Sequence, residues 1–432
     1  MSRCPQKPPP AASRENYPLP PEPSGKTVTE RLRAVAEFLR WGLPLCQTHT
    51  VEFYTRGLWE KFVALSPEAV LGALSGERLQ HLLEEPTPQR PLEDVADKSG
   101  FYNIFCKNTQ RLINVQAFAL AAKYYSMPNL GVCISLEQIL ETLDRKQQSR
   151  SKVEIKTDNF MNDKKSHEVQ LMSDLVDGIA KYYGLNQVID LGSGKETELC
   201  NIVGDLEDCV VVGLHTCGDL APSTLRLFNA VPEIKAVCSV GCCYHLLSEE
   251  HEMHEEGIQG IWGFPLGRYL KEEGWFYGRN ARMAACLALE RVAVGQMLPT
   301  ESLFYRAVLQ VIVEECYGIK RNDRNIGKVY SKSSSFLDYV RISLKKLELD
   351  ESKISDSIIL EYLKKYKHRM NELEAFNMLK VVLGPCIEGL ILLDRLCYLK
   401  EQDNIAWSGL VKLFDPIKSP RCYAVVALKK LK

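Results

Sequence analysis

The chain has 432 residues, of which 45% are hydrophobic and 25% charged, with a formal net charge of −1. That length leaves room for two or three domains and a large core, and the near-neutral balance argues against a global pull toward nucleic acid. Its 15 cysteines are odd in number and follow no disulfide-framework spacing, and residues 1–23 lack the apolar core of a signal peptide. These features predict a cytoplasmic or nuclear protein with free thiols, not a secreted one. No run reaches the roughly 18 apolar residues that suggest a membrane span, so no membrane partner is expected.

Residues 1–26 are rich in Pro, Ser and Lys and read as a disordered tail. Residues 27–150 read as a helical N-terminal domain. Helices are expected at 27–43, with Pro44 as a stop, and at 52–65, 67–74, 103–126 and 136–147. Residues 86–91 form a loop. The domain has few strand signals, and substrate recognition, partner docking and simple packing all remain open as its role. Residues 151–158 are a polar linker. The remainder, 151–432, forms a second domain with a helical insertion at about 280–402. A helix begins near Lys164, Lys165 and His167, with Val169, Met172, Val176 and Ile179 on its apolar face. Its basic start stands either at a pocket mouth or as a solvated helix end.

Three short β-branched runs then end in glycine-containing clusters. The first, 187–191, ends Asp190-Leu191-Gly192-Ser193-Gly194. The second, 209–214, leads into Gly213-Leu214-His215-Thr216-Cys217-Gly218-Asp219. The third, 234–240, ends Gly241-Cys242-Cys243-Tyr244-His245. Such runs suit buried parallel strands, and ligands in an open α/β sheet sit beyond the carboxyl ends of strands. The Gly192-Ser193-Gly194 turn lets backbone approach a ligand without an intervening Cβ. Asp190 is placed to meet a ligand amino group. Residues 195–208 carry the spacing of one short crossover helix, and 219–228 form another helix.

Residues 248–259 are acidic and contain His251 and His254, but without the spacing of a zinc protease helix. They read as a solvated loop. Residues 262–275 have the Gly, Pro and aromatic content of a lid or substrate loop. Arg279, Asn280 and Arg282 open a helix. From 301 to 402 the pattern is helical, with a break expected at Gly384-Pro385. The basic run Lys364, Lys365, Lys367, His368 and Arg369 is a solvated face or, less simply, a phosphate contact. Residues 407–414 and 422–428 read as a closing β-hairpin.

The segments 164–170 (KKSHEVQ), 213–222 (GLHTCGDLAP), 239–249 (SVGCCYHLLSE) and 413–429 resemble the methyltransferase-like protein 25 family of S-adenosylmethionine-dependent methyltransferases. The similarity runs through nearly the whole chain. It implies an α/β fold with a Rossmann-like class I sheet whose last strand is antiparallel, an S-adenosylmethionine site, and an acceptor that the family does not define. The HxCG and CCxH elements also resemble a tRNA ribose 2′-O-methyltransferase family, which brings in RNA as acceptor by analogy; a protein acceptor stays open, and DNA is not expected. The family's cofactor loop reads GSGKG, whereas Glu196 follows Lys195 here. Two βα units would occupy on the order of 60 residues, but the stretch 195–208 has fourteen. The sheet is therefore expected to be shortened, missing edge strands and the adenosine wall, as in a splice variant or a gene model lacking an internal segment. Donor binding is then weak or lost.

The resemblance implies donor contacts at Asp190, Gly192, Ser193, Gly194 and His215, and acceptor contacts at Lys165, His167, Cys242, Cys243 and Tyr244. Methyl transfer depends mainly on positioning, with a base helping a hydroxyl acceptor. His215 or His245 is the expected base and Asp219 the orienting carboxylate; loop hydrogen bonding is the plainer reading of each histidine. Cys217, Cys242 and Cys243 with the two histidines also read as a zinc set. Adjacent cysteines point to opposite sides of a continuing strand, however, so buried thiols are preferred and no metal is assigned. A non-catalytic scaffold acting through partner binding is the alternative function.

Overall fold

The computed structural model describes residues 19–85, 100–144, 161–191, 206–252, 260–320 and 329–430. The tail before residue 19, the 86–91 loop, the 151–158 linker and the Gly192-Ser193-Gly194 turn lie outside them. So do most of the 195–208 crossover and residues 253–259.

Six strands form one mixed sheet: β1 (Cys133–Ser135), β2 (Gln187–Asp190), β3 (Cys209–Cys217), β4 (Ile234–Cys242), β5 (Ile405–Lys412) and β6 (Tyr423–Lys429), in the order β1-β5-β6-β4-β3-β2. The three glycine-terminated runs are neighbours. β2 pairs in parallel with β3 through Val188↔Val210, and β3 with β4 through Val211↔Val237. The expected hairpin is present, but β6 is inserted between β5 and β4 and runs antiparallel to both. Asp415 closes its turn by accepting from Ile417 N and Ser419 N, at 2.9 and 2.8 Å.

Burial separates the strands. Val210, Val211, Ala236, Val237 and Cys238 are fully buried, as expected of central strands covered on both faces. β2 differs from the expectation. Its burial alternates and Val188 is 51% exposed, because among the described residues no strand pairs with its outer edge. The N-terminal region contributes β1, whose three residues are too few to show a period.

Helices pack on this sheet. We label α1 Gly25–Gln47, α2 Asp163–Tyr183, α3 Leu220–Ala230 and α4 Met370–Lys400. α2 lies against β3 and β4, α3 against the same pair, and α4 against β5 and β6. Asn162 starts α2 by accepting from Lys165 N at 2.8 Å. Two proline expectations fail. α1 continues through Pro44 to Gln47, and α4 continues through Pro385. Tertiary burial outweighs the lost backbone donor: Leu45 and Cys46 are buried beyond Pro44, as are Cys386 and Ile387 beyond Pro385. At Gly384 a Cβ would meet Ala284 O at 2.7 Å, so a close backbone crossing occupies the place of the expected break.

α4 is long and apolar enough on average to cross a membrane, although Lys380, Glu388 and Asp394 interrupt its apolar residues, in keeping with the expectation that no unbroken run exists. Its most apolar window is 94% buried inside the fold, which makes it the core helix. The expected helix at 103–126 is reduced to Val115–Tyr124, preceded by a turn with Gln110 at φ 54. Residues 262–275 do not form a lid. Leu266 N and Gly267 N donate to Asp394, and Phe264 and Trp275 are buried. Lys364, Lys365 and Lys367 lie on a solvated helix face.

Candidate functional site

The second and third strand-end clusters are tied together residue by residue. Thr216 Oγ1 lies 2.9 Å from Ser239 Oγ and donates to Val240 O at 3.0 Å. Gly218 N donates to Cys242 O, and Asp219 Oδ1 accepts from Ser248 N at 2.8 Å. Gly218 has φ +52, and a Cβ there would meet Leu246 Cβ at 2.7 Å, which explains the glycine. Asp219 therefore supports the loop after β4 and does not orient a histidine as expected.

The carboxylate beside His215 is Glu168, from the first turns of α2. His215 Nε2 lies 3.1 Å from Glu168 Oε2. Ser419 donates to the other oxygen at 2.6 Å, and Lys164 Nζ stands 3.4 Å from it. Glu168 is 1% exposed and His215 38%, so the imidazole faces solvent from a buried anchor. Burial opposes ionisation of Glu168. Ser419, His215 and Lys164 outweigh it and hold the carboxyl below its ordinary value. One residue earlier, His167 Nε2 accepts from Asp415 N at 3.2 Å, and its ring packs near Phe414. Glu168 thus joins α2, β3 and the β5–β6 turn. Sequence spacing carried a signal for it. Glu168, Met172, Leu175 and Ile179 share one buried helical stripe, where an acidic residue is costly unless paired.

The loop after β4 is braced by two buried ion pairs. Glu249 accepts from Tyr277 N, Gly278 N and Arg282 Nε at 2.8, 2.8 and 2.9 Å. Arg282 also donates to Tyr244 O and Leu247 O. Glu388 accepts from Tyr244 Oη at 2.8 Å and Arg421 Nη1 at 2.9 Å, while Arg395 and Arg421 both stand over the Tyr244 ring. Burial raises the Glu388 carboxyl, opposed by Arg421. Tyr244 is 1% exposed and its hydroxyl is committed to Glu388, so it faces the interior and offers no ligand surface. Residues of this frame (Glu249, Arg282, Glu388, Arg421) are far apart in sequence, and nothing in local pattern pairs them.

Among the described residues no carboxylate pairs with His245; its Nδ1 lies 3.6 Å from Cys286 Sγ. Burial, then Arg279 and Arg282, lower its pKa and keep the ring neutral. Cys217, Cys242 and Cys243 bring their sulfurs within 4.8 Å of one another. Asp190 is exposed at the end of β2, and Lys165 is exposed at the start of α2. Gly192, Ser193 and Gly194 lie outside the described residues. The arrangement can do acid–base chemistry at His215, next to a thiol cluster, at the carboxyl ends of parallel strands.

A family model described as a methyltransferase domain matches residues 204–250, which include β3, α3 and β4. The mixed α/β fold with its six-stranded sheet is consistent with the methyltransferase class. The human protein described as "Probable methyltransferase-like protein 25" is 44% identical over 596 residues, covering 96% of this chain and 99% of that protein. Its mouse counterpart of the same description is 41% identical over 593 residues, covering 96% and 98%. This chain belongs to the methyltransferase-like protein 25 family. No solved structure matches it. The aligned length exceeds the 432 residues of this chain although both proteins are covered nearly end to end. The human protein therefore has internal residues without a counterpart here.

Proposed function

We propose that the chain is an S-adenosylmethionine-dependent methyltransferase with a Rossmann-like class I sheet, acting on RNA, and that a missing internal segment weakens its hold on the donor. The strand order carries this reading: parallel β2-β3-β4, then antiparallel β6, then β5. It matches the class's sheet with the strands beyond the first one removed. The RNA acceptor rests on the resemblance of 213–222 and 239–249 to the tRNA ribose methyltransferase elements.

The described residues fit half of the donor. Asp190, exposed at a strand end, suits the amino group of the methionine half. Among the described residues no further strand end lies beyond β2 to offer a carboxylate to the ribose. S-adenosylmethionine, when bound, supplies an electrophilic methyl group. His215, with Nε2 engaged by Glu168, presents Nδ1 as the base for an acceptor hydroxyl. Lys165 is exposed and suits a phosphate contact.

The test is calorimetric titration with S-adenosylmethionine, followed by incorporation of labelled methyl into an RNA pool. Weak, millimolar-range binding and incorporation that falls about 100-fold in His215→Asn are expected. Absence of donor binding at millimolar concentration would overturn the enzymatic reading. The exposed outer edge of β2 favours a second reading in that case, a scaffold that binds partners without transferring methyl groups. Its partner binding would survive changes at Gly192 and Gly194.

A further inference from the structure

We propose that Cys217, Cys242 and Cys243 form a zinc site of three thiolates. Cys217 ends β3 and lies in parallel register opposite Cys242 at the end of β4. Their sulfurs are in direct contact, 2.9 Å apart. Cys243 follows Cys242 directly, and consecutive strand residues face opposite sides. Cys243 breaks that alternation with φ +49, a conformation rare for a residue with a side chain. The result is three sulfurs within 4.8 Å of one another. The alternation argument against a metal, drawn from the sequence, does not apply to this geometry.

Thiolates are soft ligands that select zinc and monovalent copper over hard cations. At a Zn–S distance of about 2.3 Å, tetrahedral sulfurs sit about 3.8 Å apart. The Cys217–Cys242 pair would open from 2.9 Å to reach that separation, and Cys243 Sγ lies within 4.8 Å of both. None of the three sulfurs is in a disulfide, and Cys217 lies on the exposed side. Among the described residues no fourth protein ligand joins them: His215 is held by Glu168, and His245 faces Cys286. Zinc binding would displace the thiol protons into solvent, one for each sulfur that becomes a thiolate.

The experiment uses the full chain, purified under reducing conditions, and does not involve the methyl donor. Its metal content is measured by mass spectrometry, and the metal-free protein is titrated with Co²⁺ and then Zn²⁺. About one zinc per chain is expected, with Co²⁺ producing thiolate charge-transfer and tetrahedral absorption bands that Zn²⁺ abolishes. Cys243→Ser is expected to lose at least tenfold in affinity while its circular dichroism stays that of the parent. Should that variant fail to fold, peptide mapping of thiol alkylation replaces it: zinc should protect Cys217, Cys242 and Cys243 and leave other accessible cysteines reactive. Absence of binding to the reduced protein at micromolar metal would overturn the proposal. So would protection of a different set of cysteines, or full metal affinity in folded Cys243→Ser.

Discussion

His215 Nε2 lies 3.1 Å from Glu168 Oε2, across 47 positions of sequence. This contact links two of the segments that carry the family resemblance, and Ser419 Oγ on Glu168 brings in a third. The fourth, 239–249, reaches the same place through β4, by Thr216 on Ser239 and Val240. The most specific stretches of the sequence therefore meet at one corner of the sheet, around one buried carboxylate.

Glu168 gives the fold a dependence on acid. Its folded pKa is depressed from the ordinary 4.5, so its contribution is present above that value and is lost as pH falls through the folded pKa. Glu168→Gln removes this dependence and two charge-assisted bonds, at a cost of about 1–3 kcal/mol near neutral pH. Denaturant melts across the acidic range should show the two proteins converging as pH drops below 4.5. Curves that stay parallel would mean that Glu168 does not ionise in the fold.

The glycine at the end of β3 is the second test. Gly218→Ala places a Cβ against Leu246 backbone and side chain while φ is +52. The strain and the clash together should cost about 3 kcal/mol or more. Gly184→Ala is the control: φ is +67, but nothing lies within 4 Å, so only the backbone term of about 1–2 kcal/mol is expected. Equal losses in urea unfolding would remove the packing part of the argument.

The legible parts of this chain were those whose information is local. β3 and β4 were visible as apolar runs closed by glycine, and the hairpin was visible from Asp415-Pro416 and the flanking strands. β1 was not, because Cys133-Ile134-Ser135 takes its identity from pairing with Leu410, Val411 and Lys412. Pro44 and Pro385 misled because burial of the surrounding helix outweighs a missing N–H. At the site, Asp219 stood four residues from His215 and was the natural partner by proximity in sequence. The real partner approaches from another helix, so only its presence in an apolar stripe hinted at it. Tyr244 sits in a cluster of plausible ligands, but its burial depends on Glu388 and Arg421, which sequence order does not bring near.

The Glu388 cluster yields a prediction about stability. Arg421→Met leaves Glu388 buried beside a tyrosine hydroxyl without its main positive partner. Removing one partner of such a pair typically costs about 3–5 kcal/mol. Arg421→Met with Glu388→Gln should recover part of that loss, because no uncompensated charge remains. A double variant no more stable than the single one, by thermal and urea melts, would place the loss in packing around Tyr244.

The last prediction concerns the edge of the sheet. Among the described residues β2 is an edge strand with no partner on its outer side, and Val188 on it is 51% exposed. An exposed apolar position on an open edge is a template for association with another chain, and lysine is a common protection against it. Val188→Lys should then change unfolding stability by no more than about 0.5 kcal/mol while reducing concentration-dependent association seen by sedimentation velocity. The opposite outcome has a definite meaning. A loss of about 2 kcal/mol or more would show that Val188 is covered, and that the sheet extends past β2. In that event the donor's adenosine half has a wall after all, and the weak binding proposed for this chain would no longer follow.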